Sequence, residues 1–314
     1  MPALAYNHGV SGQFRQPIDA STRFCAVYGY PVRHSASPAM QNAGLAALGL
    51  NWRYLACEVR PEDLRAAIQG AQAMGFLGLN LTVPHKEMAR DLVDALDASA
   101  RTWGAVNTIR FEGRDEHGAW RALREFSAPP RQTRSQGFNT DADAIVRSLR
   151  EDLGLELRGA KVLLLGAGGA GRTAALKLAA EGVAELCLVN RTRGKAEAVA
   201  TEIREHYPEV RLALGYPAGP VELVLNATSL GLKAGDALPL DAGQFPFRRA
   251  GAAYDMIYRP AETAFLQAAQ AAGCRVANGL GMLLYQGAAA LELWTGQPAP
   301  LGNMRQALER NIYG

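Results

Sequence analysis

A glycine-rich turn between an apolar run and a helix-forming run constrains this chain more than any other feature. The segment Gly166-Ala-Gly168-Gly-Ala-Gly171 directly follows the apolar residues 162–165 and opens the alanine-rich run 172–181. In that context the spacing is a dinucleotide-binding fingerprint, because Gly166 permits a tight turn, Gly168 lets a pyrophosphate approach the backbone and Gly171 allows close helix packing. The free N–H groups at the start of the helix favour an anion. The segment therefore predicts a Rossmann domain.

The residues after the next predicted strand indicate which dinucleotide binds. That strand covers residues 185–189 and is followed by Asn190-Arg191-Thr192. NAD-binding domains carry an Asp or Glu at about this distance from the glycines. An arginine pairs with the 2′-phosphate of NADP, whereas a carboxylate would repel it, and Thr192 and Lys195 are able to add contacts. We therefore expect NADP as the cofactor.

Short β-prone runs alternate with helix-forming runs along most of the chain, which is typical of βαβ units around a parallel sheet. The first half predicts strands over residues 25–30, 54–59, 77–83 and 106–111, and helices over 38–48 and 61–74 and from Lys86 onward, with Ser37 as the N-cap of the first helix. The second half predicts helices over 141–153 and 172–181, and strands over 161–165, 185–189, 223–225 and 253–256. Residues 113–136, with five arginines and two adjacent prolines, fit neither period and are predicted to be an exposed insertion.

Composition gives no reason to expect nucleic acid, a membrane or a metal as a partner. The 33 basic and 30 acidic residues leave a formal charge of +3 and form no basic block. No apolar run approaches the roughly 20 residues of a membrane span, and the first 23 residues lack the order of a signal peptide, so we predict a cytoplasmic protein. The histidines show no metal-ligand spacing, and free, buried thiols are expected at Cys25, Cys57, Cys187 and Cys274.

The first half carries polar residues suited to a substrate site. In Gly78-Leu-Asn80-Leu-Thr82-Val-Pro-His-Lys86 an apolar strand runs into a helix, so Asn80, Thr82 and Lys86 gather at the carboxyl end of a strand. Ligands of open α/β sheets bind at that end. A lysine there is able to hold a carbonyl oxygen, stabilise the charge developing on it and deliver a proton as a hydride arrives. A single lysine is more often a surface residue, and only its polar neighbours favour catalysis.

Further polar residues stand in short motifs whose order is informative. The first half has His34-Ser35-Ala-Ser37-Pro, Gly104-Ala-Val-Asn107-Thr and Gly137-Phe-Asn139-Thr-Asp141. The second half has Asn226-Ala-Thr-Ser229, Tyr254-Asp-Met256-Ile-Tyr258 and Gly279-Leu-Gly-Met-Leu-Leu-Tyr-Gln286. Together with the glycine turn and Asn190-Arg-Thr192, these motifs make the chain closely resemble the shikimate dehydrogenase family, in the same order from about residue 27 to residue 294.

This resemblance implies an activity and a set of site residues. The activity is the NADP-dependent, reversible reduction of 3-dehydroshikimate to shikimate in the pathway to chorismate and the aromatic amino acids. The implied catalytic pair is Lys86, which handles the proton on the reacting oxygen, and Asp141, which orients the lysine and hydrogen-bonds a ring hydroxyl. The implied substrate contacts are Ser35, Ser37 and Tyr258 at the carboxylate and Thr82, Asn107 and Gln286 elsewhere, with Asn80 behind them. The implied cofactor contacts are Gly166, Ala167, Gly168, Gly169, Ala170, Asn190, Arg191, Thr192, Lys195, Met256 and Gly279, the last two near the nicotinamide.

The resemblance also implies an α/β architecture of two domains with a cleft between them. The substrate domain would comprise residues 1–140 and 280–314 around an open, mostly parallel sheet, and the Rossmann NADP-binding domain residues 141–279. The last helices would return to the first domain, and closure about a hinge is expected when ligands bind. The expected assembly is a monomer or a homodimer.

Three departures from the family's pattern leave specific points open. Ala142 stands where a glycine usually follows the aspartate, and its methyl group would affect domain closure or pocket size. Lys195 replaces a common arginine and keeps the charge without the fork, which leaves the strength of the NADP preference open. Residues 113–136 replace a short hairpin, and their role as a lid, an oligomer contact or a loop is undecided.

Two alternative functions also remain open. One is an enzyme of the same family that accepts quinate as well as shikimate, or an amino or deoxy analogue, with either NADP or NAD. The other is a ligand-sensing homologue without catalysis. The presence of both Lys86 and Asp141 together with a complete glycine fingerprint favours an enzyme.

Overall fold

The computed structural model describes residues 17–233 and 235–314 and contains two β-sheets. The first sheet and its helices are built from β1 (Arg23–Gly29), α1 (Ser37–Ala47), β2 (Trp52–Glu58), α2 (Leu64–Ala73), β3 (Gly78–Leu81), α3 (His85–Met88), β4 (Ala95–Leu96), α4 (Ala98–Trp103), β5 (Thr108–Arg114), β6 (Trp120–Ala122) and β7 (Thr133–Phe138). The strand order is β2-β1-β3-β5-β7-β4, with β6 also paired to β5. The pairings of β1 and of β4 are parallel, whereas all three pairings of β5 are antiparallel.

The second sheet has the strand order of a Rossmann domain. Its elements are α5 (Asp141–Leu153), β8 (Lys161–Leu165), α6 (Gly169–Ala180), β9 (Glu185–Val189), α7 (Arg193–His206), β10 (Arg211–Leu214), β11 (Val221–Asn226), β12 (Ala250–Asp255), α8 (Ala264–Ala271) and β13 (Arg275–Asn278). The order β10-β9-β8-β11-β12-β13 is parallel throughout and corresponds to the pattern 3-2-1-4-5-6 of dinucleotide-binding sheets. The predicted α/β fold with mostly parallel sheets is confirmed.

The last two helices, α9 (Leu280–Thr295) and α10 (Leu301–Tyr313), return to the first sheet. Leu284 and Leu291 of α9 and Leu308 of α10 are fully buried in the same hydrophobic core as β1 and β3. Trp294, also in this core, donates a hydrogen bond from its indole N–H to the main-chain oxygen of Ile109 in β5, at 2.9 Å. The end of the chain therefore stabilises the sheet with which the chain begins.

Part of residues 113–136 extends the first sheet through β6 and β7, which the sequence pattern did not predict, whereas residues 127–129, 131 and 132 lie outside the strands and are exposed as predicted. β5 continues to Arg114 and pairs with both β6 and β7. One arginine of this region stabilises the pairing: Glu112 of β5, only 2% exposed, binds Arg134 of β7 at 2.7 Å, and Arg134 also stacks on Trp120 of β6. Glu112 is bound as well by Arg110, two residues before it on the same strand. A buried glutamate paired with arginines here takes the place of the apolar alternation by which strands are recognised, and this is why the sequence pattern did not reveal these strands.

Helix α1 begins at Ser37 itself, and the prediction that Ser37 caps it was also wrong. Ala36 occupies the N-cap position and no side chain caps the helix, while the hydroxyl of Ser35 accepts a hydrogen bond from the N–H of Ser37 at 3.3 Å. The helix predicted from Lys86 onward is only the single turn α3, because the chain tightens into a 3₁₀ turn at Ala89–Asp91.

Two predictions from composition concern the state of the cysteines and the possibility of a membrane-spanning helix. All four cysteines are free; Cys57 is half-buried and the other three are buried. Within the described ranges, none of the helices is both long and apolar enough to cross a membrane.

Candidate active site

Four chain segments meet at one edge of the first sheet. β1 and β3 are parallel neighbours, with Tyr28 opposite Leu81, so the segments after both strands leave from the same edge. β5 runs the other way, which brings its first residue, Thr108, opposite both Asn80 and Phe138. The segments after β1, β3 and β7 and the residue before β5 therefore converge. These segments contain Ser35, Ser37, Thr82, Lys86, Asn107 and Asp141, and Asn80 lies in β3 itself.

Lys86 and Asp141 form an ion pair at this edge. The Nζ atom of Lys86 lies 2.7 Å from Oδ2 of Asp141 and donates a hydrogen bond to it. The lysine side chain is 32% exposed and the aspartate side chain 11%, so the pair is accessible from one side and shielded on the other. The other carboxylate oxygen, Oδ1, accepts a hydrogen bond from Nδ2 of Asn107 at 2.8 Å. Three of the predicted site residues are thus in direct contact.

The start of α5 holds Asp141 in place. Oδ1 of Asn139 accepts hydrogen bonds from the main-chain N–H groups of Asp141 and Ala142, at 3.1 and 3.2 Å, and so satisfies two donors of the first helical turn. The N–H of Thr140 donates to Oδ1 of Asn107 at 2.8 Å. Nδ2 of Asn107 then donates to the hydroxyl of Thr140 as well as to Asp141. Asn107 is 1% exposed, and both its amide donors act within the protein.

The remaining predicted substrate residues make no hydrogen bond to the pair. Thr82 is half-buried, directly after β3, and its N–H donates to the oxygen of Tyr28 at 2.9 Å. Ser35 is half-buried and Ser37 is buried in the segment after β1. Tyr258 follows β12 of the second sheet but packs against the core of the first. Gln286 lies on α9, where Nε2 donates to the main-chain oxygen of Leu283 at 2.8 Å.

The glycine turn after β8 has the shape of a dinucleotide cradle. Gly166 has a φ of +103°, and a Cβ atom there would lie 2.9 Å from the oxygen of Ala227. A Cβ on Gly171 would lie 2.2 Å from the oxygen of Gly166, so only glycine allows α6 to approach the turn this closely. A Cβ on Gly168 would meet nothing within 4 Å, which leaves room above this residue for a phosphate. The turn lies between β8 and β11, where the strand order reverses and dinucleotides bind.

Basic side chains stand at the end of β9 beside this cradle. Arg191, Thr192 and Lys195 are exposed, as a group that meets a 2′-phosphate must be in the free protein. Asn190 connects the end of β9 to the glycine turn. Its Oδ1 accepts a hydrogen bond from the N–H of Ala167 at 3.0 Å, and its Nδ2 donates to the main-chain oxygen of Thr192 at 2.7 Å. These residues fit a dinucleotide that carries an extra phosphate.

Met256 and Gly279 also lie together, at the ends of β12 and β13. A Cβ on Gly279 would lie 2.1 Å from the main-chain oxygen of Met256, and the N–H of Gly279 donates to the oxygen of Ile257 at 3.2 Å. Ala142, by contrast, is fully buried in the core of the second sheet. Its methyl group packs among apolar side chains and does not line the edge that carries the ion pair.

Sequence reasoning missed three residues behind the pair: Tyr54, Thr108 and Thr140. All are buried, and their hydroxyl groups hydrogen-bond to the predicted residues Asn80 and Asn107 or to each other. Thr140 lies in the motif Gly137-Phe-Asn139-Thr-Asp141, next to the predicted catalytic aspartate, and this position is the one feature of the sequence that indicates a role for it. Tyr54 lies in a strand, where alternation indicates only a core residue.

The fold and this site define a two-domain, dinucleotide-binding α/β protein with a partly buried lysine–aspartate ion pair beside the first sheet. A curated relative, the shikimate dehydrogenase (NADP⁺) of Methanopyrus kandleri, is 39% identical over 302 residues, which are 94% of this chain and 98% of the relative. The chain belongs to the shikimate dehydrogenase family.

Family models and solved structures agree with this assignment. Residues 27–109 match the shikimate dehydrogenase substrate binding domain, residues 148–217 the shikimate/quinate 5-dehydrogenase model and residues 279–309 the shikimate 5′-dehydrogenase C-terminal domain. A crystal structure of a shikimate dehydrogenase in complex with NADP⁺ is 33% identical, with a TM-score of 0.83 over 96% of this chain and 100% of that one. The enzyme of Thermus thermophilus, in complex with NADP(H) and shikimate, is 37% identical, with a TM-score of 0.76 over 92% and 100%.

Proposed function

We propose that this chain is an NADP-dependent shikimate dehydrogenase that interconverts 3-dehydroshikimate and shikimate. The observation that carries the proposal is the ion pair of Lys86 and Asp141 at the edge of the first sheet. It occurs in a chain whose second sheet has a complete dinucleotide cradle. Relatives across nearly the whole chain are named for this activity, which supports the choice of substrate and cofactor.

The proposed cofactor site is the cradle together with the end of β9. The main-chain N–H groups at the start of α6 would bind the pyrophosphate, and Arg191, Thr192 and Lys195 the 2′-phosphate. Met256 and Gly279 would lie beside the nicotinamide. NADPH, when bound, supplies the hydride for the carbonyl carbon, and NADP⁺ accepts it in the reverse direction.

The proposed acid is Lys86. Its ammonium group would donate a hydrogen bond to the substrate carbonyl, stabilise the negative charge that grows on the oxygen and pass its proton to that oxygen as the alcohol forms. In the reverse direction the neutral amine would take this proton back. Asp141 would hold the amino group in place and accept a hydrogen bond from a neighbouring ring hydroxyl.

The other polar residues are proposed to fix the ring. Ser35, Ser37 and Tyr258 would donate hydrogen bonds to the carboxylate, and Thr82, Asn107 and Gln286 would bind hydroxyl groups. Asn107 would do so by exchanging its bond to the Thr140 hydroxyl for one to the substrate, since both its amide donors act within the protein in the free state. Burial raises the pKa of Tyr258, which keeps the phenol protonated and therefore a donor at neutral pH. A site of such donors discriminates against analogues that leave them unpaired.

The domain limits are proposed on the same basis. Residues 1–140 with 280–314 would form the substrate domain, and residues 141–279 the NADP-binding domain. The return of α9 and α10 to the first core supports this division. The cytoplasmic location and the monomeric or homodimeric state stay predictions from the sequence.

The experiment that tests the function follows nicotinamide absorbance with NADP or NAD and with shikimate or quinate, in all four pairings. We expect rapid reduction of NADP with shikimate. Comparable rates with quinate or NAD would favour the broader enzyme, and ligand binding without turnover in any pairing would favour the sensor. Lys86→Ala should bind shikimate but lose turnover, while Lys161→Ala, at the start of β8, the end away from the glycine turn, should keep it. Near-normal turnover in Lys86→Ala would overturn the proposed acid.

A further inference from the structure

A buried line of hydrogen bonds runs from the ion pair into the first sheet. The hydroxyl of Tyr54, in β2, donates to Oδ1 of Asn80 at 2.7 Å. Nδ2 of Asn80 donates to the hydroxyl oxygen of Thr108 at 3.0 Å, and this hydroxyl lies 3.2 Å from that of Thr140. Thr140 in turn accepts a hydrogen bond from Asn107, the residue that holds Asp141. The line thus connects strands β2, β3 and β5 with the start of α5.

The fixed donors and acceptors of the main chain set the orientations of the two asparagine side chains in this line. The N–H of Thr140 can only donate, so Oδ1 of Asn107 must face it, and this turns Nδ2 of Asn107 toward Asp141. The main-chain oxygen of Asn107 can only accept, at 3.3 Å from Nδ2 of Asn80, so Oδ1 of Asn80 faces Tyr54. The phenol of Tyr54 is therefore the donor that satisfies the far end of the line.

Tyr54 is shut away from any ligand. It is 2% exposed, and its ring packs at 6.0 Å between centroids from that of Trp294. Asn80 and Thr108 are 6% and 0% exposed. Whatever Tyr54 contributes to the reaction must pass through these two side chains, because its own atoms cannot reach a substrate.

We propose that Tyr54 is a positioning residue for the catalytic pair, acting through Asn80 and Thr108. This inference rests on the proposed function of Lys86 and Asp141. Without the phenol, Oδ1 of Asn80 is a buried acceptor with no donor, and such a group reorients or admits water. The hydroxyl groups of Thr108 and Thr140 are then no longer fixed, so the side chain of Asn107 is less well oriented. The carboxylate of Asp141, which Asn107 binds, in turn becomes less well placed to hold the amino group of Lys86. Small displacements of reacting groups cost large factors in rate.

The first test is Tyr54→Phe, with Tyr254→Phe as the matched control. Tyr254 is also fully buried, and its hydroxyl lies 2.8 Å from that of Ser148 in the second domain. Both variants lose one buried phenol hydroxyl and should lose similar thermal stability. Only Tyr54→Phe should lower kcat for shikimate oxidation, by about tenfold or more, with the Kd for NADP unchanged. A kcat that is unchanged in Tyr54→Phe, or that falls equally in both variants, overturns the proposal.

The second test separates the hydroxyl of Thr108 from its volume. Thr108→Val removes the hydroxyl and keeps the shape, whereas Thr108→Ser keeps the hydroxyl and removes a methyl group. We expect Thr108→Val to lower kcat, Thr108→Ser to keep it, and Tyr54→Phe to add little in the valine background, because both changes break the same line. Equal kcat in the two Thr108 variants contradicts the inference. No turnover in wild type would instead contradict the proposed function, and the inference with it.

Discussion

Replacing Asp141 with asparagine tests the ion pair with almost no change in volume. Each carboxylate oxygen accepts one hydrogen bond, from Nζ of Lys86 at 2.7 Å and from Nδ2 of Asn107 at 2.8 Å. An asparagine has one acceptor oxygen and one NH₂ group. In either orientation, therefore, its NH₂ group faces a donor, and one of the two hydrogen bonds is lost together with the charge.

The expected loss of rate follows from that hydrogen bond. A hydrogen bond to a charged group contributes about 1.5–3 kcal/mol, and about 1.4 kcal/mol changes a rate tenfold, so kcat should fall about 10- to 150-fold. The assay is the absorbance of NADPH during shikimate oxidation at saturating substrate. The control is Asp143→Asn on the same helix, where the carboxylate is 77% exposed and pairs with Lys177. If Asp141→Asn shares its kcat with wild type and with the control, the reasoning is refuted.

Three further predictions concern the cofactor, the sheet and pH. Arg191→Ala should raise the KM for NADP about tenfold and leave that for NAD unchanged, whereas Arg193→Ala, whose arginine pairs with Glu197, should change neither. Glu112→Ala leaves two arginines of the first sheet without their shared partner, so urea denaturation should show about 3 kcal/mol less stability. Burial lowers the pKa of His85, which is 0% exposed, so as pH falls below about 6.5 the unfolded chain takes up a proton at this residue more readily than the folded chain. Wild type should lose unfolding free energy between pH 7 and pH 5, and His85→Gln should lose less over the same range.

The second domain was predictable because its signals are local. The strands predicted over residues 161–165 and 185–189 have these bounds in the structure. Strands covered on both faces are continuous apolar runs. The turn between β8 and α6 requires glycine at fixed positions, which makes it recognisable in the sequence. The meander from β5 to β7 was not predictable, since its buried Glu112 is compensated partly by Arg110 on the same strand and partly by Arg134, which only the pairing of β5 with β7 brings opposite it.

The pair of Lys86 and Asp141 was predictable for a different reason. Each residue stands in a motif whose neighbours are already unusual, and the order of these motifs along the chain matches one family. Tyr54 and Thr108 have no such neighbours. Both lie in strands, where side chains alternate between the two faces of the sheet. Their hydroxyl groups hydrogen-bond to Asn80, which is 26 residues from Tyr54 and 28 residues from Thr108 in sequence. Periodicity assigns such residues to the core and says nothing of the hydrogen bonds they make there.

The position of α5 explains why the ion pair is sensitive to both domains. Asp141 opens this helix, and the residues behind it, among them Ile145 and Leu149, are buried in the core of the second sheet. Lys86, its partner, belongs to α3 of the first sheet, and Met282 of α9 packs against both cores. The 2.7 Å contact therefore spans the junction, and a rotation of one core against the other would change it. The dinucleotide cradle follows β8, which shares a core with α5, so we expect cofactor binding to affect the distance between Asp141 and Lys86. Substitutions at the junction should then change kcat with little effect on stability, whereas substitutions within either core should do the reverse.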